Sequence, residues 1–86
     1  MKIFKMTIST PDGNLFDGDI QSLSLRGAEG ELAVMAGHTP FVTITKAGEC
    51  RLLLEDDTET SFETEEGILS VWENKAKLVT YPKMNE

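Results

Sequence analysis

Residues 27–43 read Gly-Ala-Glu-Gly-Glu-Leu-Ala-Val-Met-Ala-Gly-His-Thr-Pro-Phe-Val-Thr, with glycine-containing segments on both sides of a short apolar one. The stretch holds three glycines, one proline, two carboxylates and the only histidine of the chain. Glycine and proline supply the backbone angles that tight turns need. Turns that carry polar groups at their tips are typical of contact surfaces, so this stretch predicts a strand between two exposed loops with a binding role.

The sequence on either side of this stretch alternates with period two. Phe4, Met6 and Ile8 share one face of a predicted strand while Lys5 and its alternating neighbours share the other. Apolar pairs recur in short segments towards the C-terminus, and no helical stripe exceeds two turns. Eight or so strands spaced by about ten residues predict an all-β flattened sandwich or barrel, formed by residues 1–86 as a single domain.

Turn signals separate the predicted strands. Between Ile20 and Leu23 the apolar positions change parity, which predicts a bulge or bend. Hairpin turns are predicted at residues 11–13, 55–58, 65–67 and 73–74.

Composition excludes several classes of function. The formal net charge of −7 disfavours nucleic acid and anionic membrane surfaces as partners. Cys50 is the only cysteine, so an intramolecular disulfide is excluded and a reducing compartment, the cytoplasm, is indicated. Its alternation with Leu52 and Leu54 predicts a buried, inert thiol. The N-terminus resembles neither a signal peptide nor a membrane span, so any membrane association is expected to depend on a partner.

His38 has three readings from the residues alone. It can serve a structural or capping role in the Gly-His-Thr-Pro turn, it can contact a partner, or it can act in catalysis. No second histidine and no recognisable nucleophile accompanies it, so catalysis is the least favoured reading and no metal site is predicted.

The remaining motifs do not indicate a nucleotide, metal or cofactor site. The glycines at 27, 30 and 37 match no phosphate-binding loop, and the carboxylates of residues 55–59 lack the spacing of a calcium loop. Glu29 and Glu31 flank a glycine, which leaves solubility and partner contact equally open. The six aromatic residues are spread one to a strand, a pattern typical of a core, with Phe41 expected to be partly exposed.

Several motifs taken together resemble the N-terminal domain of the epsilon subunit of F-type, or rotary, ATP synthases. They are the stretch at 27–43, the preceding Ser-Thr-Pro-Asp-Gly-Asn-Leu-Phe-Asp-Gly, the following Thr-Lys-Ala-Gly-Glu, and the later Glu-Gly-Ile-Leu-Ser-Val-Trp-Glu-Asn-Lys. The resemblance runs from Ile3 to Tyr81. It implies a flattened β-sandwich of about ten strands that is a non-catalytic part of the central stalk of a proton-translocating synthase and couples rotation to ATP synthesis.

The resemblance also implies partners and contact residues. The protein is expected to be a monomer within a hetero-oligomeric complex, bound to the gamma subunit and the c-ring at the cytoplasmic face of the bacterial inner membrane, without inserting into it. The implied c-ring contacts are Glu29, Gly30, Glu31 and His38. The implied gamma contacts are Ser9, Thr10, His38, Thr39, Pro40, Phe41, Val42 and Thr43.

Two departures from the family pattern bear on function. Family members usually continue into a two-helix C-terminal domain that can inhibit ATP hydrolysis and in some members binds ATP, whereas this chain is expected to lack a helical hairpin after Tyr81. Glu66 also stands before Gly67 where a glycine is common. An alternative function from another class is a stand-alone β-sandwich that binds a protein or small ligand, and co-purification with gamma distinguishes the two.

Overall fold

The computed structural model describes residues 2–81, which form eight β-strands and no helix. The strands are β1 Phe4–Thr10, β2 Gly13–Gly27, β3 Gly30–Met35, β4 Phe41–Thr45, β5 Gly48–Leu54, β6 Glu59–Thr64, β7 Gly67–Trp72 and β8 Lys75–Val79. The all-β prediction is confirmed. Within the described range no helix has the length and apolarity to span a membrane. The expected non-helical tail of residues 82–86 lies outside the described residues.

The strands form one hydrogen-bonded network that folds into two facing layers. Sheet I contains the first part of β2, then β1, β8, β7 and β4, with β1 and β8 parallel and the other neighbours antiparallel. Sheet II contains β3, the second part of β2, β5 and β6. A single pairing of Gly27 with Thr45 joins β2 to β4 and links the layers a second time.

Strand β2 belongs to both sheets because it bends where the apolar parity changes. Its first part pairs with β1 up to Ile20, and its second part pairs with β3 from Ser22 onward. The register between β2 and β5 shifts between Ile20 and Ser22, so the predicted bulge is confirmed. Ile20 and Leu23 both become fully buried, which a regular strand would not allow.

The core lies between the two sheets and uses the predicted alternation of β1. Phe4, Met6 and Ile8 are buried, as expected. The other buried hydrophobic residues are Ile20, Leu23, Leu25, Val34, Cys50, Leu52, Leu69, Val71, Ala76 and Leu78. Partly buried side chains, among them Phe16 and Phe62 with ring centroids 6.2 Å apart, close the core at its margin.

Cys50 is buried on β5, and burial raises the pKa of its thiol from 9.0 to about 12. The folded protein therefore holds a neutral thiol at pH 8, and we expect thiol reagents to modify native Cys50 at least about a hundredfold more slowly than the urea-unfolded chain. Since the unfolded thiol ionises at lower pH than the folded one, stability should fall as the pH rises above 9.0 towards 12. Equal labelling rates in the two states would contradict this burial.

Candidate partner-binding surface

The turn between β2 and β3, residues 27–30, forms one end of the molecule, here called the Gly30 end. Gly30 has φ 125°, which favours glycine, and Ala28 and Glu29 are exposed at the tip. Gly27 lies so close to Leu32 that an added Cβ would approach Leu32 Cδ2 to 2.6 Å. The turn is therefore fixed by backbone geometry and packing, and it presents Glu29 to solvent.

Glu31 follows this turn but its carboxylate already has a partner within the protein. Arg51 on β5 donates from Nη2 to Glu31 Oε1 at 2.9 Å and lies 3.7 Å from Glu49 Oε1. All three side chains are about half exposed, so these ion pairs contribute little to stability. The side chain of Glu31 points to the outer surface of sheet II, where a partner would have to compete with Arg51.

The loop between β3 and β4, residues 36–40, forms the opposite end, here called the His38 end. His38 is exposed, its amide donates to the Met35 carbonyl at 3.2 Å, and its Nδ1 lies 2.7 Å from the Thr39 carbonyl oxygen. A carbonyl only accepts, so Nδ1 carries the proton in that contact. The imidazole also packs on Phe41 with ring centroids 4.8 Å apart. Both the structural and the partner-contact readings of His38 fit this geometry.

Asn74 holds the His38 end together, whereas the sequence predicted it only as a turn residue. It lies in the turn between β7 and β8, where Glu73 and Asn74 have φ values of 42° and 63°, as a two-residue hairpin requires. Its Nδ2 donates to the Ile3 carbonyl at 2.9 Å, and its Oδ1 accepts from the Gly37 amide at 3.2 Å. Asn74 thus ties the residues before β1 to the loop that carries His38.

Replacing Asn74 with glycine should loosen this loop without breaking the hairpin, because glycine keeps the left-handed backbone but removes both side-chain bonds. We expect hydrogen exchange at the Gly37 amide to rise about fivefold, the factor for one net hydrogen bond of about 1 kcal/mol. Asn74→Asp is the matched control, since it keeps an acceptor for Gly37. Unchanged exchange at Gly37 in Asn74→Gly would rule out the clamp.

The two ends are separated by the length of β3. At about 3.3 Å per residue, Gly30 and Met35 lie about 17 Å apart. Ser9 and Thr10, although far from residues 27–30 in sequence, lie towards the Gly30 end, because β1 finishes beside the start of β7 and the end of β4. The structure therefore brings Ser9 and Thr10 towards Glu29 and separates all three from His38.

An exposed apolar surface on sheet I joins the two ends and was missed by the sequence analysis. Paired positions on neighbouring strands project to the same side: Ile44 pairs with Ile68, Ile68 with Val79, and Val79 with Ser9. Val42, Ile44, Ile68 and Val79 are 70, 58, 51 and 50% exposed. We call these four residues, with Trp72 and Tyr81 beside them, the apolar face. Contiguous patches of this kind usually mark an interface.

The predicted gamma contacts on β4 divide between its two sides. Val42 lies on the apolar face, whereas Phe41 and Thr43 alternate with it and are half-buried on the other side. The expectation that Phe41 is partly exposed is confirmed. The assignment of all aromatic residues to the core is wrong for Trp72 and Tyr81, which are 38 and 59% exposed, because outward positions of β7 and of the segment after β8 carry them.

The described residues contain no group of three or more His, Cys, Asp or Glu side chains arranged to hold a metal. A shallow groove of about 260 Å³ is lined by residues 16–19 and 54–56 and carries four carboxylates. The side chain and then the backbone amide of Thr58 lower the pKa of Asp56 by hydrogen bonding. These contacts belong to the turn predicted at residues 55–58, which is confirmed, and they make the Asp56 carboxylate part of that turn.

The family model described as ATP synthase, Delta/Epsilon chain, beta-sandwich domain matches residues 3–81. The chain belongs to this family. It is 40% identical over 79 residues to the ATP synthase epsilon chain of Chlorobium limicola, covering 92% of this chain and 90% of that one. The epsilon chain of Chlorobaculum tepidum is 38% identical with the same coverage. That of Bacillus subtilis is 42% identical over 59 residues, 69% of this chain and 45% of the relative.

Solved structures agree in fold. A chain of the Euglena gracilis mitochondrial ATP synthase superposes with a TM-score of 0.85 at 20% identity, over 91% of this chain and 50% of the other. A chain from the central stalk and c-ring structure of the Tetrahymena thermophila enzyme gives 0.76 at 12% identity, over 90 and 62%. The protein thus spans about half to two thirds of these chains.

Family membership confirms the predicted resemblance, and with it the prediction of a non-catalytic ATP synthase subunit. The protein is part of a membrane-associated complex.

Proposed function

We propose that the protein is a rotor component of the central stalk, docked on the gamma subunit through the apolar face and on the c-ring through the Gly30 end. It couples rotation to ATP synthesis as a single rigid domain at the cytoplasmic face of the bacterial inner membrane. The observation that carries this proposal is the apolar face itself, since β4 and β7 of sheet I carry apolar residues on both sides and an antiparallel sheet normally solvates one of them.

Gamma is assigned to the apolar face because this exposed apolar surface continues across neighbouring strands of sheet I. It extends over β4, β7 and β8 and continues through Ser9 on β1. A rotor contact has to persist under torque, which calls for an interface above about 1,000 Å² with an apolar centre. The His38 loop adjoins Val42, so we assign His38, Thr39 and Pro40 to the margin of the same interface, while Phe41 and Thr43 lie on the other side of β4.

The c-ring is assigned to the Gly30 end because the tip is narrow, polar and acidic. Glu29 and Gly30 are exposed at the turn, and Glu31 follows on the sheet II side. Such a tip suits the short polar loops of a ring that turns with the stalk. His38 lies at the other end of β3, so we assign its contact to gamma rather than to the ring.

Co-expression with gamma tests this proposal. We expect an equimolar complex that persists through affinity purification and gel filtration, and no ATP hydrolysis by the protein alone. A protein that remains monomeric beside soluble, folded gamma would favour the alternative of a stand-alone binding domain.

A further inference from the structure

Two exposed lysines lie on an interior strand of sheet I, on the same side as the apolar face. Lys75 and Lys77 lie on β8 and are exposed beside Val79. Strand β8 is interior to the sheet, with β1 on one side and β7 on the other. Lysines often protect edge strands from aggregation, but an interior strand has no open edge to protect.

The neighbours of these lysines leave their charges uncompensated. Lys77 pairs across the sheet with Thr7 and Ser70, which are neutral. Lys75 pairs with Trp72 on one side and with Lys5 on the other. Like charges placed directly opposite each other destabilise a sheet.

Three other basic side chains of the described residues form ion pairs, those of Lys5, Lys46 and Arg51, whereas Lys2 and Arg26 do not. Lys5 contacts Asp17 at 3.4 Å and Lys46 contacts Glu66 at 3.9 Å. Within residues 2–81, no carboxylate lies within ion-pair distance of Lys75 or Lys77. Lys5 on β1 is the only titratable group in register with Lys75, and none is in register with Lys77. Solubility does not account for the two lysines, because in a chain of net charge −7 they reduce the net charge.

We propose that Lys75 and Lys77 select a partner whose docking surface places carboxylates beside an apolar ridge. The ridge covers Ile44, Ile68 and Val79, and the carboxylates meet the two ammonium groups. This inference rests on the proposed docking to gamma and names the chemistry of the gamma segment that binds. Desolvated between an apolar ridge and a sheet, such pairs strengthen and orient the complex more than exposed pairs do.

The spacing of the lysines limits the geometry of that segment. Alternate residues on a strand lie about 6.6 Å apart along the chain. Residues three or four apart on a helix have Cβ atoms about 5–6 Å apart. Two acidic residues one turn apart on a gamma helix therefore match Lys75 and Lys77, with the apolar residues of the same helix over Ile68 and Val79.

The test measures the affinity of the full chain for gamma at low and high salt. Lys75→Gln with Lys77→Gln should weaken binding about tenfold at 50 mM salt and reduce its salt dependence, because the attraction that the lysines exert before the pairs are desolvated is screened by salt. Lys77→Glu should weaken it further. Lys2→Glu is the matched control, because it changes the net charge as Lys77→Glu does but lies beside Met35 on sheet II. It should stay within about twofold of the wild type.

The outcomes separate this inference from the proposed function. If the wild type binds gamma tightly and the double glutamine variant binds equally well at every salt concentration, the lysine inference is wrong and docking stands. If the wild type does not bind gamma, both are wrong. If instead the lysines govern binding to vesicles containing anionic lipid and leave gamma binding unchanged, the carboxylate partner is excluded.

Discussion

Replacing Ile44 and Ile68 together with glutamate is expected to abolish docking on gamma, with a loss of at least about a hundredfold in affinity. The two side chains pair across β4 and β7 at the centre of the apolar face. Two carboxylates there would replace the most apolar contact of the interface with charged groups that must be desolvated on docking. Because both side chains are more than half exposed in the isolated protein, its stability should change by less than about 1 kcal/mol.

Met35→Glu is the matched control for this variant. Met35 is 64% exposed but projects from sheet II, where it pairs with Ser22. It undergoes the same change from apolar to acidic without touching the apolar face, so binding should be retained. If the Ile44/Ile68 variant still binds gamma and Met35→Glu does not, the interface with gamma lies on sheet II.

Gly67→Ala is expected to destabilise the fold by about 1–3 kcal/mol, as overpacking does. Gly67 begins β7 against β8, and an added Cβ would overlap the Val79 carbonyl oxygen and approach Thr80 Cβ to 2.9 Å. Thr80 is buried, and its hydroxyl lies within hydrogen-bond distance of the Glu65 and Glu66 carbonyls at 2.8 and 3.0 Å, so this corner cannot easily open. In a small domain the loss should lower the melting temperature by about 5 °C or more.

Gly18→Ala serves as the comparison for that measurement. Its added Cβ would meet Phe16 Cζ at 3.3 Å, and a partly exposed ring can shift. The melting temperature of this variant should fall much less than that of Gly67→Ala. Equal melting temperatures for the two would show that the corner of β7 and β8 adapts to a methyl group.

The fold was predictable where local chemistry determined it. In β1, one apolar side chain in every two residues gave both the strand and its buried face. The break in parity between Ile20 and Leu23 gave the bend of β2, because two apolar residues of opposite parity cannot both be buried by a regular strand. Turns that contain glycine, aspartate or asparagine were predictable because these residues favour turn conformations by themselves.

The apolar face was not predictable in this way, since β4 and β7 are apolar at both odd and even positions. In Phe41–Thr45 either Val42 and Ile44 or Phe41 and Thr43 could have faced the core. The register of β4 on β7, in which Thr45 pairs with Gly67, decides that Val42 and Ile44 are the exposed pair. The sequence did contain one signal, which is that β4 and β7 have more apolar residues than one buried side needs. Strands that are apolar on both sides need a second partner to cover the outer side.

The sequence predicted which loops carry the candidate contact residues, but not how these loops are placed relative to one another. Glu31 and His38 are close in sequence, yet β3 separates the two ends that carry them. Asn74 lies 37 residues from Gly37 and binds its amide, a contact between distant segments that no local motif reveals. Proximity in space here depends on sheet register, which the sequence specifies only through the complete fold.

Site-specific photo-crosslinking in the assembled synthase shows which sheet of the protein lies against gamma. A photoreactive phenylalanine analogue at Ile44 samples the apolar face, and the same group at Ser61 samples an exposed position on sheet II. We expect a crosslink to gamma from position 44 and none from position 61. A crosslink to gamma from position 61 alone would contradict this expectation, because gamma would then cover the other sheet.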